Sequence, residues 1–175
     1  MRSSPQSARF PQFSQSVLEK TLASEGIAYI FLGEELGGRP DDPEAYRSDG
    51  RVDYQVRRKS YAFRAGLERV LKESENRSLA LMCAEEDPLD CHRFLMISPE
   101  LVEVGIAPLH IRRGGNIETQ EAAETRLLES NGFGAFAANT LFPEARAEAL
   151  EKAYALQAER FGFRVDPLVV DRLSV

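Results

Sequence analysis

Apolar positions along this chain alternate between two rhythms. From Ser14 to Ser24, Val17, Leu18 and Leu22 fall at helical spacing, which predicts a helix with these three side chains in the core. Gly26 ends it, and the apolar run Ile27–Leu32 predicts a strand. A second helix is predicted from Ser60 to about Glu75, where Phe63, Leu67, Val70 and Leu71 form one buried stripe. A short apolar run, Leu79–Met82, follows between polar turn signals and predicts a buried strand. Ile106–Ile111 is a third strand, with Pro108 favouring its start or a sheet edge. Helix and strand alternating in this way predict an α/β fold, a Rossmann-like three-layer arrangement with a mostly parallel sheet.

The rhythm changes after Ile111. Arg112–Asn116 is basic and glycine-bearing and reads as the boundary of an α/β domain over residues 1–113. Residues 114–175 read as a mainly helical extension that packs on that domain or on another subunit. Its helices are expected over Ile117–Ser130, stopped by Asn131-Gly132, and over Pro143–Phe161, closed by Gly162. Ala147, Leu150, Tyr154 and Phe161 lie along one face of the latter. The tail carries Val165, Leu168, Val169 and Val170 and suits a late strand or a subunit contact, so a homo-oligomer through the carboxy-terminal helices is expected. Elsewhere, Arg2–Phe13 reads as a polar loop, and Gly33–Gly50 as a long connection holding Leu36-Gly37-Gly38-Arg39-Pro40. Tyr46, Tyr54 and Tyr61 read as packing residues.

Composition adds outer limits. With 43% hydrophobic and 29% charged residues, the 175-residue chain can bury an ordinary core. A net charge of −6 argues against a broad nucleic-acid footprint. No apolar run approaches a membrane span, and no signal peptide precedes Arg2. Two cysteines without secretory context predict a reducing cytoplasm.

Candidate chemistry concentrates after the Leu79–Met82 run. Asp87 is placed as a helix N-cap and Pro88 at the first helical position, so Cys91, His92 and Arg93 fall near the first turn of a helix. Free backbone N–H groups and the positive end of the macrodipole meet there, which makes the joint an anion site. The same surroundings lower a thiol pKa, so Cys91 is the candidate thiolate, with His92 as base or orienting group. Arg93 is placed to hold a phosphate or carboxylate bidentately. Glu85 or Glu86 can serve as a general base or bind a ribose hydroxyl. Cys83, at the end of the strand, can pair reversibly with Cys91 if their Cα atoms lie within about 7 Å. In the amino-terminal loop, Arg2, Ser3, Ser4, Ser7 and Arg9 can receive an oxyanion. Gly37 and Gly38 permit a turn or close approach to a ligand, with Arg39 as the adjacent charge. Pro99 is expected to break or kink the helix that Cys91 opens. The Cys-x7-Cys-His spacing matches no closed structural zinc site, and neither metal nor cofactor is expected. A serine–histidine triad, a P-loop and a dinucleotide-binding glycine motif are all absent.

Leu36-Gly37-Gly38, Leu81-Met82-Cys83-Ala84-Glu85, Pro88, Cys91-His92-Arg93 and His110-Ile111 together resemble the DUF488 family of bacterial and archaeal proteins. Arg2-Ser3-Ser4-Pro5, Ser7 and Phe10–Phe13 resemble that family's early Asp-Val-Arg-x-x-Pro-x-Ser segment, and the whole covers residues 2–112 in the family's order. The Cys-Ala-Glu and Cys-His-Arg pieces are the specific part. The resemblance implies a fold and site residues but no substrate. Family members carry a strand, a helix and a second strand before the early segment, so an amino-terminally shortened α/β domain is implied. Two functions follow from the sequence. One is an enzyme acting on a phosphate-bearing small molecule or nucleotide, with Cys91 as thiolate and Arg93 as anion clamp. The other is a non-catalytic nucleic-acid-binding or protein-interaction module using Arg2, Arg9, Arg39, Arg93, Arg112 and Arg113.

Overall fold

The structure, a computed structural model, describes residues 3–137 and 142–166. The strongest stripe in the sequence lies at its centre. Ser60 caps α4 (Tyr61–Ser74) by accepting from the Phe63 N–H at 3.3 Å, and Phe63, Gly66, Leu67 and Val70 are buried along one side. Gly66 lets α2 (Gly33–Leu36) lie directly on this helix: a Cβ there would stand 2.5 Å from the Glu35 Cβ and 2.9 Å from Leu36 Cγ. Just before α4, α3 (Tyr54–Lys59) is capped by Asp53, which accepts from the Gln55 and Val56 N–H groups. Its Arg57 is buried and donates to the Glu34 and Glu35 carbonyls at 2.6 and 2.8 Å, satisfying the end of α2.

The chain is mainly helical, and its only sheet among the described residues is a two-stranded antiparallel hairpin. This overturns the expected Rossmann-like arrangement with a mostly parallel sheet. Ile27–Leu32 and Leu79–Met82 form no strands, because neither makes ladder hydrogen bonds with another described segment. Ile27 and Leu79 are correspondingly exposed. Only the end of the third predicted strand pairs. Leu109–Ile111 (β1) meets Ile117–Thr119 (β2), with His110 opposite Glu118. Arg112–Asn116 is therefore the hairpin loop, with Gly114 and Gly115 at φ of 78° and 82°, a conformation that suits glycine.

α1 (Gln15–Ser24) forms where predicted but buries nothing: Val17 is exposed, and Leu18 and Leu22 are only half-buried. Helical spacing alone did not distinguish a core face from a partly covered one. At the other end, α6 (Gln120–Ser130) and α7 (Pro143–Phe161) join the main core through Ala123, Leu127, Leu128, Ala149 and Ala153. The buried stripe of α7 is rotated from the predicted one, and Ala147 and Phe161 are exposed. Beyond α7 the chain turns back. Phe163 O accepts from the Val52 N–H, Arg164 bridges Arg51, and the Val165 N–H reaches Gly50 O. Leu168, Val169 and Val170 lie outside the described residues. No described helix is long and apolar enough to cross a membrane.

Candidate functional site

The Leu79–Arg93 stretch builds the floor of a cleft. Asp87 accepts from the Leu89 N–H at 3.0 Å, and Pro88 opens a single tight turn ending at Asp90. Cys91 is extended, and its carbonyl accepts from both Phe94 and Leu95 N–H at 3.0 Å. The helix that follows starts as one wide turn, Arg93–Ile97, and tightens into α5 (Ser98–Glu103). Pro99 sits in the first turn of α5, where its missing N–H is no loss, so the expected break does not occur. Phe94, Leu95, Met96 and Ile97 are fully buried and anchor this turn in the core.

Four chemically active side chains converge above that anchor. One ligand-capable atom each from Cys83, Glu85, Cys91 and His92 lies within 4.8 Å of every other. Cys83 Sγ is 2.6 Å from Glu85 Oε2 and 3.4 Å from His92 Nδ1. Cys91 Sγ is 3.8 Å from the same carboxylate oxygen and 4.0 Å from Nδ1. His92 Nε2 is buried without a hydrogen-bond partner.

Arg93 serves the loop. Its Nε donates to Cys91 Sγ at 3.1 Å, while its two terminal nitrogens donate to Leu81 O at 3.0 Å and Glu85 O at 2.8 Å. The bidentate anion clamp expected of Arg93 is thus directed into the protein's own backbone. A hydrogen bond from the Cys83 thiol, with the Arg93 charge and N–H groups, outweighs burial and lowers the Cys91 pKa to about 7. Cys83 is pushed the other way, by donating to Cys91 and by burial. For Glu85, burial opposes ionisation, but the Cys83 thiol and the His92 and Arg93 charges prevail and hold its pKa down.

The double glycine fits closely between two neighbours. A Cβ on Gly38 would lie 2.9 Å from His92 Cγ and 3.0 Å from Nδ1, so this residue lets the imidazole pack against backbone. A Cβ on Gly37 would lie 2.4 Å from Ser3 Oγ and 2.1 Å from Gly33 O. Ser3 Oγ in turn accepts from the Arg39 N–H at 2.9 Å, fixing the amino-terminal loop to the glycine turn. Arg2 lies outside the described residues.

Above the tetrad opens a cavity of about 430 Å³. Ser3, Ser4, Gly38 and Arg39 line one side, and Cys83, Glu85 and His92 line the floor. Of the predicted residues, Gly37, Cys91 and Arg93 are not part of this lining. Other lining residues were given no functional role from the sequence, among them Asp41, Tyr54, Asp90, Phe161 and Phe163. Phe163 enters through the pairing of residues 163–165 with 50–52, and the Arg39 guanidinium lies over its ring at 4.4 Å. No local pattern could have announced a contact of that sequence separation.

His110 is turned elsewhere, with Nε2 3.0 Å from Gln120 Oε1 and its ring edge-on to Phe94. Arg112 is also committed. It pairs with Glu86 at 3.1 Å, Asp87 at 3.0 Å and Glu118, while Arg126 joins Asp87 and Glu118 at 2.8 and 2.7 Å. This network pins the acidic loop beside the tetrad to the hairpin and α6, and removes Arg112 from the basic surface of the nucleic-acid reading.

The glycine turn, the Cys-Ala-Glu floor and the Cys-His-Arg joint all fall within residues 1–98, which match the family model described as "Domain of unknown function DUF488". The chain belongs to the DUF488 family. No curated protein and no solved structure matches it. The DUF488 match ends at Ser98, just past the buried wide turn; α6, α7 and the Phe163 wall of the cleft lie outside it.

Proposed function

We propose that this protein is an enzyme acting on a phosphate-bearing small molecule, a nucleotide being the class that the cleft suits best. The observation that carries the reading is the meeting of Ser3, Gly38 and Arg39 with Cys83, Glu85 and His92 around one cavity. A volume of about 430 Å³ lies in the range of small-molecule sites. Arg39 replaces Arg93 as the anion-facing cation. Its guanidinium lies over the Phe163 ring, and the Ser3 hydroxyl beside it accepts from the Arg39 N–H. Tyr54, Phe161 and Phe163 offer apolar surface for a base or sugar. The sulfur and imidazole groups of the floor supply the reactive face.

Isothermal titration with inorganic phosphate and with nucleoside mono- and diphosphates tests this. A charge-assisted contact contributes about 1.5–3 kcal/mol, so Arg39→Ala is expected to weaken phosphate-ester binding by roughly 10- to 100-fold. Absence of binding, or equal binding by Arg39→Ala, refutes the proposal.

A further inference from the structure

The geometry points to a zinc-type divalent metal site formed by Cys83, Glu85, Cys91 and His92, at the floor of the proposed substrate cleft. Two thiolates, an imidazole and a carboxylate are the donor set such an ion prefers. With metal–sulfur bonds near 2.3 Å and metal–nitrogen or –oxygen bonds near 2.0–2.2 Å, the edges of a tetrahedron measure roughly 3.3–3.8 Å. The sulfur–nitrogen edges here are 3.4 and 4.0 Å, and the Cys91–Glu85 edge is 3.8 Å. The Cys83–Glu85 edge, at 2.6 Å, must open, and the Cys83–Cys91 and Glu85–His92 edges lie within 4.8 Å.

Three further observations fit the ion. His92 is packed against Gly38 with Nδ1 3.4 and 4.0 Å from the two sulfurs, so Nδ1 is the donor the ring presents to the cluster. A dication with two thiolates and one carboxylate leaves one residual negative charge. The Arg93 guanidinium, 3.1 Å from Cys91 Sγ, neutralises it, and the Arg93 backbone N–H points to the same sulfur at 3.5 Å. The cleft also holds Asp41, Glu85 and Asp90 against a single arginine, so a phosphate-bearing ligand needs a further positive charge there. Cys83, Glu85 and His92 face the cavity while Cys91 is buried behind them. Glu85, on the exposed loop, is the ligand that an oxygen of the substrate can displace. The spacing that argues against a closed structural site in the sequence suits this arrangement, because a residue pair one position apart, Cys91 and His92, is spread by the extended backbone at Cys91.

This inference rests on the proposed cleft for its substrate but not for its test. The full chain, reduced and stripped by a chelator, is titrated with cobalt(II). One equivalent is expected to bind, with the visible bands of tetrahedral cobalt and a near-ultraviolet charge-transfer band from two thiolates. Cys83→Ser and Cys91→Ser should each lose about half of that band, and Glu85→Gln should keep it while shifting the visible bands. In the unaltered protein, one equivalent of zinc should protect both thiols from iodoacetamide, which keeps the test valid if a variant misfolds. No stoichiometric uptake, cobalt spectra unchanged in both cysteine variants, or zinc-insensitive alkylation overturns the site. Arg39→Ala leaves the cobalt spectrum unchanged, so loss of phosphate binding and loss of metal binding are separate results.

Discussion

Replacing Gly38 by alanine tests how the site is held together. At an unstrained, open position, glycine to alanine stabilises a protein by about 0.4–1 kcal/mol, because the unfolded chain loses freedom. Gly38 has no positive φ that would oppose the change by itself. Space decides instead. The new methyl would lie 2.9, 3.0 and 3.1 Å from three atoms of His92, whereas ordinary carbon contacts fall at about 3.5–4.0 Å. The imidazole must retreat by roughly half an ångström or more, in a place where it is buried and faces the two sulfurs. Overpacking of this kind costs about 1–3 kcal/mol. With a urea dependence of about 1–3 kcal/mol per molar, the unfolding midpoint should fall by about 1 M. Circular dichroism across a urea series measures it. A midpoint that stays or rises would refute the close approach of Gly38 to His92.

Two further predictions concern the supports of the site. Arg57→Met leaves the Glu34 and Glu35 carbonyls without their donor and should cost about 2–4 kcal/mol, with faster amide exchange confined first to residues 33–39; exchange unchanged there would count against the role given to Arg57. Glu118→Gln should cost about 1–2 kcal/mol by weakening its bonds from Arg112 and Arg126. Burial of Glu118 is outweighed by those arginines, so its folded pKa lies below the unfolded value of about 4.3. Its stabilisation is therefore full above that unfolded value and lost as pH falls through the folded one. Urea midpoints of the unaltered protein should drop more steeply than those of Glu118→Gln below about pH 5, and parallel curves would contradict the sign.

The parts of this molecule legible in the sequence are those set by local rules. Ser60 and the stripe from Phe63 to Val70 specify α4 because cap and periodicity agree. Asp87-Pro88 marks its turn, and the Cys-Ala-Glu and Cys-His-Arg pieces carry the family membership. What was misread depends on partners that only the folded chain brings together. An apolar run such as Leu79–Met82 suits a strand, but a strand exists only when another lies alongside. Arg93 looked available for an anion because its acceptors, Leu81 O and Glu85 O, are backbone atoms that every sequence contains. Arg112 looked like surface charge until the hairpin brought Glu118 beside it.

The cleft draws Ser3 from near the start of the described chain and Phe163 from near its end. During synthesis the floor and the glycine turn emerge long before the wall that completes them. Amino-terminal segments generally fold first as a chain emerges. The Val52–Phe163 and Gly50–Val165 pairings can form only after α7 has left the ribosome. A nascent chain therefore carries an open, sulfur-bearing floor with no Phe163 beneath Arg39 until residues 163–165 have emerged.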